Sequence, residues 1–274
     1  MILATGQHYI DKYGREAGAS KMAKHGYGQL DLDLSDTENE YYAARDEEFI
    51  VKLLALKKAL STYGVGTLLA RGPLPTETHS KEERALTFEK TVKAMVAVRH
   101  LGGRVLTVKP LLFAELDSEE ILPAAREYYS ALTEVAKGLG VTLCLENGAD
   151  GNPLSRLSAL IPLLKDIGSD NLRLSLSTGA ANSLGEDFLA AMSDAGELLA
   201  VLRAEDSTEG NPTPLPLFSG SVNWAALAEA LFDMGFSGIL SVTAPVVRAG
   251  EDTTDEELTR LEMVASDYAR LIAG

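Results

Sequence analysis

Glu146 closes the run VTLCLE (141–146), and alternation along an extended segment puts it on one face with Thr142 and Cys144. The same alternation groups Ser175 with Ser177 in LRLSLS (172–177), and Ser241 with Thr243 in GILSVT (238–243). Three other apolar runs bring permanent cations to their ends: VGTLLA (65–70) leads to Arg71, RVLTVK (104–109) ends in Lys109, and LAVLRA (199–204) carries Arg203. Gathered on one rim, these ends offer one acid, several hydroxyls and three cations. Such a set suits a general base, Glu146, beside an oxyanion-stabilising Lys109 or Arg71. It equally suits capture of an anion, for which the arginine fork is favoured.

The elements that would gather them alternate from end to end. ILATGQ (2–7) and QLDLDL (29–34) complete a set of eight strand candidates, and amphipathic helical patterns such as 87–101 and 121–139 lie between strands. Ser80 with Glu83, Asp117 with Glu120, and Thr254 with Glu257 have capping-box spacing. Gly102–Gly103, Gly138, Gly168 and Gly235 precede the next strands as stop signals. On the last helix Leu258, Leu261, Val264, Ala265, Tyr268, Leu271 and Ile272 form one apolar stripe. Strand and helix alternation over this length predicts an α/β fold, a single (β/α)8 TIM barrel spanning 1–274 as one domain. A doubly wound sheet is the runner-up, but no GxGxxG follows the first strand and no Walker motif occurs.

Bulk properties narrow the partners. A formal net charge of -15 repels phosphate backbones, which argues against nucleic acid. The single cysteine, Cys144, excludes an internal disulfide and suits a reducing compartment. No apolar run reaches transmembrane length, and MILATGQHYI lacks the basic and long apolar regions of a signal peptide. A cytoplasmic protein with no membrane partner is expected, and a homo-oligomer is left open.

Four segments carry a resemblance: GYGQLDLDLSDT (26–37), VTLCLEN (141–147), STGAA (177–181) and LPLFSGSVNWAALAEALFDMGFSGILSVTAP (215–245). On these the chain is similar to the xylose isomerase-like TIM barrel superfamily, in its sugar phosphate isomerase/epimerase branch. The resemblance implies an isomerase or epimerase whose divalent metal holds the charge of an enediolate, bound at the barrel mouth by carboxylates and histidines. Carried over by position, Glu146 matches the glutamate ending the fifth strand. Ser177 stands where an aspartate is expected and Ala180 where a histidine follows it. Arg203 takes the seventh strand's histidine position, with Asp206 keeping the acid three residues on. Thr243 replaces the glutamate of the eighth strand, while Arg71 and Lys109 replace histidines of the third and fourth. A dication beside three cations is repelled, so neither a metal nor another cofactor is expected. The DNA-repair endonuclease branch, which needs several metals and a basic surface, fits poorly.

Two functions follow. One is an enzyme acting on a small, anionic carbohydrate or sugar phosphate, with Glu146 and Lys109 catalytic and Arg71, Arg203, Asp206, Ser177, Thr243 and His8 binding substrate. The other is a non-catalytic pseudoenzyme that holds such a ligand or regulates a partner. Plainer readings stand beside both. Glu146 pairs with Lys109 or Arg203 and closes a vestigial cavity; Arg71 braces its loop; Cys144 is core. His8 is the histidine placed for the mouth, whereas His25, His79 and His100 read as structural. Asp31 and Asp33 share a strand face and either orient a ligand or pair with the cations. Of Glu205 and Asp206 the latter has the better claim, and Trp224 reads as a helix anchor. The segment 208–221, with Pro212, Pro214 and Pro216, reads as an aperiodic loop that either stiffens the mouth or routes the chain. EDTTDEE (251–257) reads as a solvated helix start rather than a calcium loop.

Overall fold

In the computed structural model, residues 1–38, 40–43, 46–74, 76–243 and 253–273 are described. Among them, eight parallel strands close a barrel: β1 Ile2–Gly6, β2 Gln29–Asp33, β3 Gly66–Arg71, β4 Val105–Val108, β5 Thr142–Glu146, β6 Leu172–Ser177, β7 Leu199–Ala204 and β8 Ile239–Val242. Each strand pairs with its neighbours in sequence, and β1 closes the ring on β8 through Ile2–Ile239 to Thr5–Val242. Helices such as Lys81–Leu101, Ser118–Leu139 and Leu157–Ile167 return the chain between strands. This is the (β/α)8 barrel that the alternation predicts.

Two apolar zones hold it together. The outward strand faces, with Leu30, Leu32, Leu106, Leu143, Leu145, Leu174, Leu176 and Leu202, pack beneath the helices in one large core. Burying each such leucine contributes about 1.5–3 kcal/mol, so this shell can tolerate a polar interior elsewhere. The inward faces supply a small second cluster, Ala4, Leu69, Cys144, Val201 and Ile239, which fills the barrel floor. Because both faces of a parallel barrel are covered, its strands read as nearly continuous apolar runs.

Local signals position the ends. Ser80 Oγ accepts from the Glu83 amide at 3.1 Å, and the Asp117–Glu120 and Thr254–Glu257 boxes form. One stop signal is displaced: Gly138 lies inside its helix, and Gly140, at φ 65°, makes the left-handed turn that ends it. On the last helix, Asp255–Ala273, Leu271 is exposed while Ile272 takes the buried position. Residues 251 and 252 of the acidic stretch lie outside the described residues.

The expected loop 208–221 is in part a hairpin. Asp206–Thr208 pairs antiparallel with Asn211–Leu215, Asp206 opposite Leu215 and Thr208 opposite Asn211. Pro212 and Pro214 alternate with the paired positions, so neither is asked to donate the amide it lacks.

Candidate functional site

Above the barrel floor the inward positions turn polar. Two residues beyond Leu69, Cys144, Val201 and Ile239 come Arg71, Glu146, Arg203 and Ser241, as period-2 alternation requires. Arg203 is wholly buried and reaches across the barrel. Its Nε donates to Glu146 Oε2 at 2.5 Å, its Nη2 to Thr107 Oγ1 at 2.9 Å, and its Nη1 to Asp31 Oδ2 and, at 3.3 Å, Ser241 Oγ. Glu146 Oε1 meets Lys109 Nζ at 2.9 Å, and Glu146 Oε2 also accepts from Ser175 Oγ at 3.1 Å. Burial alone would raise the Glu146 carboxyl. The charges of Arg203, Lys109 and Arg71 outweigh it and hold the group well below the usual carboxylate range. For Arg203 the guanidinium's own desolvation is likewise outweighed, by Asp31, Glu146 and Glu205, and its pKa is raised.

This layer corrects one expectation. Arg203 is expected to touch substrate, yet its guanidinium lies beneath the mouth with no exposed surface. The two-residue repeat of the strand sets its depth: the next inward position, Glu205, is the one at the rim.

Glu205 organises that rim. Its Oε2 accepts from Ser177 Oγ at 2.9 Å, its Oε1 accepts from Thr243 Oγ1 at 3.2 Å, and Arg71 Nη2 lies 3.6 Å from Oε1. Ser177 also caps the short helix that follows, accepting from the Ala180 amide at 3.1 Å. The β5 and β6 ends are locked together by the Asn147 side chain, which accepts from Ser177 N at 2.7 Å and donates to Ser177 O at 3.1 Å. Lys109 is tied down in turn by the Asn147 carbonyl at 2.7 Å.

Two cavities open here, separated by Glu205 and Pro214, which line both. One, of about 230 Å³, is lined by Lys109, Asp150, Ser177, Ala180 and Pro212. The other, of about 250 Å³, is lined by His8, Asp11, Asp31, Asp33, Arg71, Leu215 and Thr243. The hairpin thus roofs the mouth. His8 begins the helix His8–Tyr13, just after β1. Burial and the charge of Arg71 lower its pKa, which favours a neutral imidazole despite Asp33 and Asp31.

Asp206 behaves otherwise than expected. Its carboxylate is buried and accepts from Ser207 N, Gly220 N, Val222 N and Trp224 Nε1 at 2.8–3.3 Å. It anchors the foot of the hairpin, and Asp206 also borders the 230 Å³ cavity. Gly220 permits that approach, since a Cβ there would lie 2.2 Å from Ser207 O. Trp224 is the expected core anchor, edge-on to Tyr268 at 5.2 Å.

The charge balance also departs from expectation. Arg71, Lys109 and Arg203 each lie within 4 Å of Asp31, Glu146 or Glu205. With Asp11, Asp33 and Asp150 on the walls, the mouth is not basic. The remaining residues are structural. His25 pairs with Glu262 at 2.7 Å, His100 bonds Val96 O at 2.9 Å, and His79 is largely exposed beside Glu77. Cys144 is buried on the floor, its thiol pushed up to about 12 by burial.

The sequence profile of the xylose isomerase-like TIM barrel family matches residues 19–263. The chain belongs to that family. Among its relatives, the D-psicose 3-epimerase of Agrobacterium fabrum is 24% identical over 241 residues, covering 84% of this chain and 78% of the relative. The L-ribulose 3-epimerase of Mesorhizobium japonicum is 26% identical over 220 residues, 77% and 71% of the two chains. Crystal structures of a D-tagatose 3-epimerase-like protein (TM-score 0.79, 21% identity, 100% and 98% covered) and of the D-psicose 3-epimerase from Clostridium cellulolyticum (TM-score 0.80, 17% identity, 99% of each chain covered) share the fold.

The resemblance implies a divalent metal in xylose isomerase-like barrels, and the donors present here do not fit one. At the carried-over positions stand Glu146, Ser177, Arg203 and Thr243. A guanidinium has no lone pair to give, and both Glu146 oxygens already face cations. Among the described residues no three His, Cys, Asp or Glu side chains form a metal-binding group.

Proposed function

We propose that this chain is a metal-independent, sugar isomerase/epimerase-like protein that holds a small carbohydrate at the barrel mouth. The observation carrying the proposal is the buried Arg203 guanidinium bridging Asp31 and Glu146. It supplies, on a side chain, the positive charge that the family arrangement takes from a metal. Arg71 and Lys109 are the groups placed to stabilise an oxyanion, while Glu205 and His8 are placed to move a proton. Glu146 positions Lys109. The expected anionic ligand gives way to a neutral one, because the three cations are already matched by carboxylates. The epimerase relatives support the carbohydrate class.

The test is calorimetric titration of chelator-treated protein with Mn²⁺, with Mg²⁺ as control. No stoichiometric heat is expected, and micromolar one-to-one binding would overturn the proposal. A second reading, binding without turnover, is favoured by the commitment of Glu146, the acid expected as general base, to Arg203 and Lys109. Ketose incubated with the protein in D₂O separates the two. Deuterium entering at the carbon beside the carbonyl marks an enzyme; binding without exchange marks a pseudoenzyme.

A further inference from the structure

Two buried polar atoms at the mouth have no hydrogen-bond partner among the described residues, and they are opposite in kind: the acceptor Asp31 Oδ1 and the donor Arg71 Nη2. Asp31 is wholly buried and lines the 250 Å³ cavity. Its other oxygen, Oδ2, is committed to Arg203 Nη1 and to Ser241 Oγ at 2.6 Å. Arg71 Nε lies 3.8 Å from that same Oδ2, so the two side chains are adjacent. Arg71 Nη2 is 3.6 Å from Glu205 Oε1, near enough for attraction but too long for a hydrogen bond. A buried donor and a buried acceptor, side by side and unsatisfied, ask for a ligand that presents an oxygen acceptor next to a hydroxyl donor.

We infer that this cavity recognises the α-hydroxyketone unit of a neutral ketose, the hydroxyl donating to Asp31 Oδ1 and the adjacent carbonyl oxygen accepting from Arg71 Nη2. The inference rests on the reading that the mouth holds a small carbohydrate. Asp31 requires a donor, which a phosphate or carboxylate oxygen cannot supply, and like charge would repel such a group from Asp31, Asp33 and Asp11. Arg71 supplies a fixed positive donor where negative charge gathers if the carbonyl enolises. Leu215 and Pro214 give the lid side of the cavity an apolar surface for the sugar's C–H face. His8 stands in the same cavity, its pKa lowered by burial and by the charge of Arg71.

D-Psicose, D-tagatose and D-fructose are the probes, titrated calorimetrically into the metal-free protein. At least one is expected to bind, with its 3-deoxy analogue and its reduced hexitol each weaker by about tenfold or more, as loss of a buried hydrogen bond to a charged group implies. Arg71→Met, at a partly exposed position, is expected to abolish the preference for ketose over hexitol while leaving the preference for ketose over 3-deoxy ketose. Equal binding of ketose and 3-deoxy analogue, or an undiminished ketose preference in Arg71→Met, overturns the inference and leaves the carbohydrate reading standing. Tighter binding of D-fructose 6-phosphate than of D-fructose overturns the choice of a neutral ligand. If no ketose binds, the inference falls, and the manganese titration judges the metal-free reading on its own.

Discussion

Replacing Arg203 by Met keeps much of the side-chain volume and removes the charge at the barrel centre. In the wild type the guanidinium holds two carboxylates, Asp31 and Glu146, with no solvent to share the work. Glu146 retains Lys109 at 2.9 Å, whereas Asp31 is left with Ser241 Oγ and the more distant Arg71 Nε. Most of the cost therefore falls on Asp31. Removing one partner of a buried pair costs about 3–5 kcal/mol, which for a chain of this size is a Tm lower by on the order of 10 °C. Differential scanning calorimetry from pH 8 to pH 4 reads the effect. The folded pKa of Glu146 in the wild type lies below 4.5, held there chiefly by the charge of Arg203 against the cost of burial, and the stability this contributes is lost as pH falls below 4.5. The gap between wild type and variant must therefore narrow in acid. The triple variant Arg203→Met, Asp31→Asn, Glu146→Gln should recover part of the loss at neutral pH. A drop below about 3 °C at pH 7, judged on the same scale, or a deficit unchanged at pH 4, would refute the account of the central network.

Other outcomes follow from single contacts. Trp224→Phe removes one of four donors to the Asp206 carboxylate and should cost about 1–3 kcal/mol in urea unfolding. His8 has a folded pKa below 6.5, so wild-type stability present above pH 6.5 is lost as pH falls through the folded value. His8→Gln should flatten that part of the stability profile. Cys144, with its thiol near 12, should resist a thiol reagent at pH 8 in the native state and react one-to-one once the chain is unfolded.

The strands were legible because a parallel barrel buries both faces, and the runs from ILATGQ to GILSVT match β1–β8 to within a residue or two at each end. Parity along a strand was enough to place Arg71, Lys109, Glu146 and Thr243 at one end of the barrel. The same rule points to Glu205, two residues beyond Arg203, yet the family acid at Asp206 draws the eye one residue too far. Asp206 points the other way and serves the hairpin. That hairpin was hidden by its prolines, which read as a loop until the pairing shows them at positions that need no amide. Depth was harder to see than direction. Whether Arg203 touches solvent depends on Asp31, 172 residues earlier in the chain, and on Thr107, 96 residues earlier, and no local pattern encodes such partnerships. Asn147 lies inside the VTLCLEN run, but its clasp on Ser177 belongs to tertiary structure alone.

A central charge carried on a side chain also constrains the paths by which this sequence can change. Substituting Arg203 with histidine, the residue that the family resemblance places there, strands Asp31 before any replacement cation can be coordinated. An acid placed at Ser177 or Thr243 sets another carboxylate beside Glu205, which already bonds both hydroxyls. A change in this layer that keeps its charge even therefore needs two or more residues to change together.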